Sequence, residues 1–262
     1  MDLQLKGRHI LITGGSKGIG FACARAFGHE GARCTLVARD AGGLEQAVAA
    51  LRAEGFQAEG ISADLRDAAA AAAMVERVYA GHGEVDVLVN CAGAARRTPF
   101  DELTPQAWHD AMQAKFFAYV HVMDPVIKRM GQAGAGSIVN VVGAGGKVAS
   151  PTHLPGGAAT AALMLPSAGL PAAYGPRGVR VNVVNPGLTR TERLNEGIAA
   201  EARMAQVSGD EVLARHQQRL PLGRLAEPEE IADAVVYLAS PRASYITGAV
   251  VGMDGAVTPM VV

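Results

Sequence analysis

The chain has 262 residues, 49 % of them hydrophobic, and 24 Lys+Arg balance 25 Asp+Glu for a formal net charge of −1. That length and apolar content suit one α/β domain with a large core, and the even charge, with no basic cluster denser than Ala95-Arg96-Arg97, leaves no nucleic-acid surface. The three cysteines, Cys23, Cys34 and Cys91, form no Cys-x-x-Cys pair and exclude a disulfide framework.

Residues 8–13 read as a short buried strand, 18–30 as a helix, 32–38 as a second strand and Leu44 to Glu54 as an alanine-rich helix. Residues 57–62 form a third strand, 67–81 a helix and 85–90 a fourth strand. The stretch 104–130 reads as a long helical stretch that ends before a glycine-rich turn. Residues 136–142 are a fifth strand, Val179 to Val184 a sixth, Ile231 to Leu238 a helix and Ala249 to Met253 a seventh strand. Apolar strands alternating with helices predict a parallel sheet covered on both faces, a doubly wound α/β fold over 1–262. Cys23 on an apolar helix face and Cys34 in a strand read as buried thiols. Met1 to Gly7 lack a charged leader followed by an apolar run, and no apolar stretch is long enough to span a bilayer, so a cytoplasmic protein with no membrane partner is expected.

Thr13-Gly14-Gly15-Ser16-Lys17-Gly18-Ile19-Gly20 follows the first strand and opens the first helix. Glycines there let the backbone approach a pyrophosphate, and the helix N-terminus offers free N–H groups and partial positive charge. The Gly-x-x-x-Gly-x-Gly spacing resembles the short-chain dehydrogenase/reductase family, which has a Rossmann fold. Further motifs carry the same resemblance along the whole chain. Asp64, with Leu65 beside it, is similar to the family's adenine-contacting acid. Asn90-Cys91-Ala92-Gly93 is similar to its Asn-Asn-Ala-Gly motif, and Pro186-Gly187 with Thr191 to the loop that holds the nicotinamide amide. Arg224, Pro228-Glu229-Glu230-Ile231-Ala232 and Ile246-Thr247-Gly248 to Asp254-Gly255 resemble its C-terminal signature.

The resemblance implies a dinucleotide cofactor. The second strand ends Val37-Ala38-Arg39-Asp40. An acid at the strand tip would hold the ribose hydroxyls of NAD, whereas Arg39 can clamp a 2′-phosphate. Lys17 adds a second positive charge. NADP(H) is therefore favoured over NAD(H), with Asp40 able to weaken the preference. The other reading makes Arg39 and Lys17 ordinary solvated charges.

In the resembling family a Tyr moves the proton on the substrate oxygen, and a Lys four residues later lowers that Tyr's pKa. A Ser thirteen residues before the Tyr polarises the carbonyl, and an Asn on the preceding helix positions a water. The Ser position here reads Gly143, the Tyr position Gly156, the Lys position Thr160 and the Asn position Lys115. No tyrosine lies within a one- or two-residue slip of Gly156. The resemblance thus implies an atypical member with a degenerate active site and a larger, less polar pocket beside the nicotinamide. Pro166 and Pro171 fall inside the helix after the Tyr position and predict a kink or break there, in an element that the resemblance places at a dimer interface.

Two residues are weak candidates for the missing chemistry. Lys115 could project inward and replace the missing lysine, or it could point to solvent or pair with Asp110 or Glu102. His153 has a suitable ordinary pKa but could be a plain loop histidine, and Lys147 is weaker still. No metal-ligand spacing and no Gly-x-Ser-x-Gly elbow is present, so neither a metal nor a hydrolase triad is expected. Three readings follow: an oxidoreductase on an unknown carbonyl or alcohol substrate, a catalytically inactive cofactor-binding regulator or partner subunit, and a non-redox enzyme based on Lys115 or His153. The resemblance also implies a homodimer or homotetramer. It places a substrate lid at 188–216, with Arg190, Glu192, Arg193, Arg203 and Met204.

Overall fold

The computed structural model describes residues 1–93 and 95–258. Seven parallel strands form one sheet: β1 (His9–Thr13), β2 (Arg33–Ala38), β3 (Gln57–Ser62), β4 (Val87–Asn90), β5 (Gly136–Val141), β6 (Val179–Pro186) and β7 (Val250–Met253). Their order is β3-β2-β1-β4-β5-β6-β7. The chain winds outward from β1 in one direction, then returns and winds the other way from β4. The crevice between β1 and β4, at the carboxyl ends of the strands, is where such sheets bind ligands.

Helices cover both faces: α1 (Gly18–His29), α2 (Ala41–Ala53), α3 (Ala68–His82), α4 (Pro105–Ala111), α5 (Ala118–Ala133), α6 (Leu154–Tyr174), α7 (Glu192–Ala205), α8 (Gly209–Gln218) and α9 (Pro228–Ala239). Ile10, Ile12, Phe27, Leu36 and Ile231 pack on one side of the sheet, and Leu11, Val37, Leu88, Val126 and Ile138 on the other. Successive strand residues alternate between these two apolar layers, which explains why the central strands read as continuous hydrophobic runs. Cys23 and Cys34 are buried and free. Among the described residues no helix is long and apolar enough to cross a membrane.

One sequence expectation needs correction and another needs a refinement. The stretch read as helical is helical throughout, with a π-helical turn at Met112–Phe117 joining α4 directly to α5. Such a turn inserts an extra residue, and the 3.6-residue apolar pattern does not reveal it. The helix expected to break at Pro166 and Pro171 runs unbroken from Leu154 to Tyr174. Its buried face of Ala159, Leu163 and Ser167 packs against the sheet side, and tertiary packing overrides the local penalty. The region 188–216 also acquires two helices, α7 and α8, that periodicity did not single out.

A buried polar chain ties the sheet to α6. Asn90 Nδ2 donates to Asn140 Oδ1 at 3.0 Å, and Asn140 Nδ2 donates to Ser167 Oγ at 2.8 Å. Asn140→Ala would strand the Asn90 amide and leave Ser167 without its donor. We expect a loss of about 2–3 kcal/mol in chemical denaturation, since a buried group left unpaired forfeits its hydration as well as its bond.

Candidate functional site

The glycine loop sits where β1 gives way to α1. Gly14 (φ +69°) and Gly18 (φ +56°) take the left-handed backbone that glycine tolerates best. A Cβ at Gly14 would stand 2.8 Å from the Ala92 backbone, and one at Gly20 2.2 Å from Gly14 O. These contacts hold the turn from Gly14 through Ser16 to Gly20 close to the Asn90–Gly93 loop. Lys17 is the N-cap of α1 and makes no side-chain cap, so no N-cap side chain takes up the first-turn amides, Ile19 included, while the Gly20 N–H meets the Cys91 thiol. The cradle fits a pyrophosphate on its backbone geometry alone.

The flanking residues line the same edge. Thr13 Oγ1 accepts from Cys91 N and Ala92 N at 3.1 and 3.2 Å, which fixes the β4 loop against β1. Leu65 is buried, and its carbonyl oxygen meets His121 Nδ1 at 2.9 Å. Asp64 is gripped by Arg66, whose Nε lies 3.0 Å from both carboxylate oxygens, and this partner holds the Asp64 pKa below its ordinary value. Gly187 packs so tightly that a Cβ would lie 2.8 Å from Asp254 Cα, next to Pro186 at the end of β6. Thr191 caps α7 by accepting from Leu194 N, and its methyl faces Gly18.

The two basic residues of the cofactor edge differ. Lys17 Nζ is paired with Glu192 Oε2 at 2.7 Å, so it is not the free second charge that the sequence suggested. Arg39 follows β2 and is exposed, and among the described residues no carboxylate lies within 4.0 Å of it.

On the other side of the crevice, Gly143 (φ +116°) follows β5, with its N–H donating to Asn185 Oδ1 at 3.1 Å. A Cβ there would meet nothing within 4 Å. Gly156 is different. A Cβ at that position would fall 2.1 Å from His153 Cε1, so the imidazole already fills the space. The enlarged pocket expected at Gly156 is therefore occupied by His153. Thr160 is buried and turns its hydroxyl back to Gly156 O at 2.5 Å, which leaves it facing its own helix.

Lys115 projects inward from the π-helical turn. Its Nζ donates to Tyr119 Oη at 2.9 Å and to Val141 O at 3.2 Å. The alternative partner Asp110 instead accepts from Gln106 Nε2. Tyr119, fully buried, donates its own hydroxyl proton to Val141 O at 2.5 Å. Its hydroxyl oxygen is thus a fixed acceptor for the lysine. The sequence reading did not single out Tyr119; its only signal there is the i, i+4 spacing from Lys115. Burial pulls the Lys115 pKa down to about 8; Cys91 raises it and Arg193 lowers it, both more weakly. Burial in turn pushes the Cys91 thiol up to about 11, with Lys115 opposing that shift. His153 is pushed down to about 4 by burial and then by Arg97, Arg193 and Lys115, and its Nδ1 is buried with no partner.

Comparison with known proteins gives a consistent picture. Residues 14–258 match the family described as enoyl-(acyl carrier protein) reductase. The chain is 36 % identical over 257 residues to the D-threitol dehydrogenase of Mycolicibacterium smegmatis, covering 98 % of this chain and 95 % of that one. Among solved structures, an actinorhodin polyketide ketoreductase variant with NADPH superposes with a TM-score of 0.93 at 31 % identity, covering 97 % of this chain and 98 % of that one. The L-sorbose reductase of Gluconobacter frateurii, complexed with NADPH and L-sorbose, gives a TM-score of 0.90 at 29 % identity with both chains fully covered.

Proposed function

The chain belongs to the short-chain dehydrogenase/reductase family, and from that membership we propose an NADP(H)-dependent oxidoreductase of a carbonyl or alcohol substrate whose proton is handled by Lys115. The observation that carries the proposal is the inward ammonium of Lys115, held by Tyr119 and Val141 with no carboxylate partner among the described residues. When bound, the nicotinamide supplies or takes up the hydride.

In this reading the family's Ser, Tyr and Lys are replaced by Gly143, Gly156 and Thr160, none of which has a side chain that titrates near neutrality. Lys115 does. Two of its three N–H bonds are committed, and the third has no partner among the described residues and can meet a substrate oxygen. In reduction the ammonium gives its proton to the oxygen as negative charge develops there. The amine left behind suits a buried site, because burial disfavours the charged form. Lys115 keeps some accessible surface, so the amine regains its proton from solvent. Tyr119 is a positioning residue, its own proton being held by Val141 O. His153, neutral at physiological pH, orients the substrate by hydrogen bonding and donates no net charge.

Several features support the cofactor assignment. The glycine cradle, with Ala92, Gly93, Asn90, Asp64, Leu65, Pro186, Gly187 and Thr191 along its rim, fits the dinucleotide; Arg39 is placed for a 2′-phosphate; and both structural relatives named above hold NADPH. Arg39→Asp is expected to weaken NADPH binding by about ten- to a hundredfold and to narrow or reverse the preference over NADH, read by fluorescence titration of both cofactors. Helices α7 and α8 form the substrate lid in this reading. A homodimer or homotetramer would cover the outer side of α6, where Leu165 is 80 % exposed. The names of the relatives, dehydrogenases and reductases, favour turnover over an inert cofactor-binding partner. The test is NADPH consumption with a panel of aldehydes and ketones. Tight NADPH binding with no consumption across the panel would favour the inert reading.

A further inference from the structure

Four nitrogen-bearing side chains from four separate segments converge beside the crevice. Arg97 comes from the loop after β4, Lys115 from the π-helical turn, His153 from the loop before α6 and Arg193 from the first turn of α7. Arg97 lies pressed beneath α7: a Cβ at buried Gly197 would stand 3.0 Å from its Nε. Its one side-chain bond runs from Nη1 to Thr152 Oγ1 at 3.3 Å, a neutral and long contact. Among the described residues no carboxylate lies within 4.0 Å of Arg97, although Glu201 acts on it from further away. Burial is the main influence on this guanidinium and pulls its pKa down.

Arg193 bridges α7 to the same loop by donating to Ala95 O, and it shares Glu196 Oε2 at 2.9 Å. Of these four groups, Arg193 alone has an acid partner within 4.0 Å among the described residues. Arg97, Arg193 and Lys115 all act on His153, whose Nδ1 is buried and unpartnered. A desolvated guanidinium is expensive unless an anion meets it, and Arg97 has a second guanidinium, Arg193, acting on it. Most of the five N–H donors of Arg97 have no partner among the described residues, and a fork of that shape matches two oxygens of a carboxylate or similar oxyanion. The cofactor phosphates have their own cradle at the glycine loop and Arg39.

We propose that the substrate carries an anionic group, a carboxylate or comparable oxyanion, that is received by Arg97 and flanked by Arg193 beneath α7, with its carbonyl or alcohol end toward His153 and Lys115. This rests on the oxidoreductase reading for the reacting end, but the anion site itself does not depend on turnover. Docking of the anion would offset the charge of Arg97 and draw α7 onto the ligand through Arg193 and Gly197.

The test measures binding to the full chain saturated with NADP⁺, in which a ketone cannot be reduced. Calorimetry compares a series of short oxo acids, including 4-oxopentanoate, with their neutral amides and with the matching phosphonates. At least one acid or phosphonate is expected to bind about ten- to a hundredfold more tightly than its amide. The carboxylate-against-phosphonate arm identifies which oxyanion is preferred. Arg97→Met is expected to erase the difference, Arg97→Lys to retain part of it, and neither to change NADP⁺ affinity. Equal binding of acids and amides by the wild type, which needs no variant to fold, would overturn the proposal. So would an Arg97→Met loss that appears equally in NADP⁺ binding, since Arg97 would then be a cofactor contact. Charge discrimination without any NADPH consumption would keep the anion site and sink the oxidoreductase reading. Turnover of neutral ketones without discrimination would do the reverse.

Discussion

Lys115→Met is expected to lower kcat by about 10²–10⁴-fold while leaving NADPH affinity within a few-fold of wild type. Methionine keeps the length and flexibility of the side chain and removes only the exchangeable protons. The cofactor cradle is built from other segments and does not include the Lys115 amine, so binding should survive. The loss should appear in kcat more than in KM, because proton transfer matters most in the transition state. Tyr119→Phe removes the acceptor at 2.9 Å from the ammonium but no proton used in the reaction. It should reduce kcat less than Lys115→Met and should also shift the pH profile, since the lysine loses a hydrogen bond that favours its charged form.

The second large effect is expected at Gly93. Its φ of +97° lies in the region that side-chain-bearing residues avoid, and a Cβ would sit 2.1 Å from Ala114 O. Gly93→Ala therefore combines backbone strain with a clash against rigid backbone. A loss of about 3–6 kcal/mol is expected, or a fall in Tm of roughly 10 °C or more. The clash falls on the π-helical turn that carries Lys115, so activity should drop further than stability alone explains. Gly81→Ala is the control. It lies in α3, where a Cβ would meet nothing within 4 Å, and alanine there should be neutral or stabilising by about 0.4–1 kcal/mol in thermal denaturation.

Much of this architecture is legible in the chain, and the misses have physical causes. Continuous apolar runs such as Ile10–Ile12 and Val87–Val89 locate strands because both sheet faces are covered. The start of α2 lies at Ala41, three residues before Leu44, because Gly42 and Gly43 read as a turn while Asp40 stands outside as the N-cap. Strand β6 extends past Val184 to Pro186, where apolar patterning stops but pairing with β7 continues. Lys115 is visible in the sequence only as an odd residue at an asparagine position. Its inward direction depends on the π-helical turn, which one sequence does not display. His153 filling the space above Gly156, and Glu192 neutralising Lys17, are tertiary events between segments that local patterning does not connect. The same holds for Arg97 beneath Gly197: nothing local announces that a loop arginine will be covered by a helix about a hundred residues on.

The most direct test of the central claim is the pH dependence of NADPH-driven carbonyl reduction in wild type and Lys115→Met. Burial lowers the lysine pKa to about 8, with Cys91, Arg193, Tyr119 and His153 around it. Reduction needs the protonated form, so the wild-type rate should be flat below that value and fall about tenfold per pH unit above it. Alcohol oxidation needs the free amine and should rise through the same pH. In Lys115→Met both rates should be low and without that inflection. A wild-type inflection that persists unchanged in Lys115→Met, with reduction as fast as before, would contradict the account.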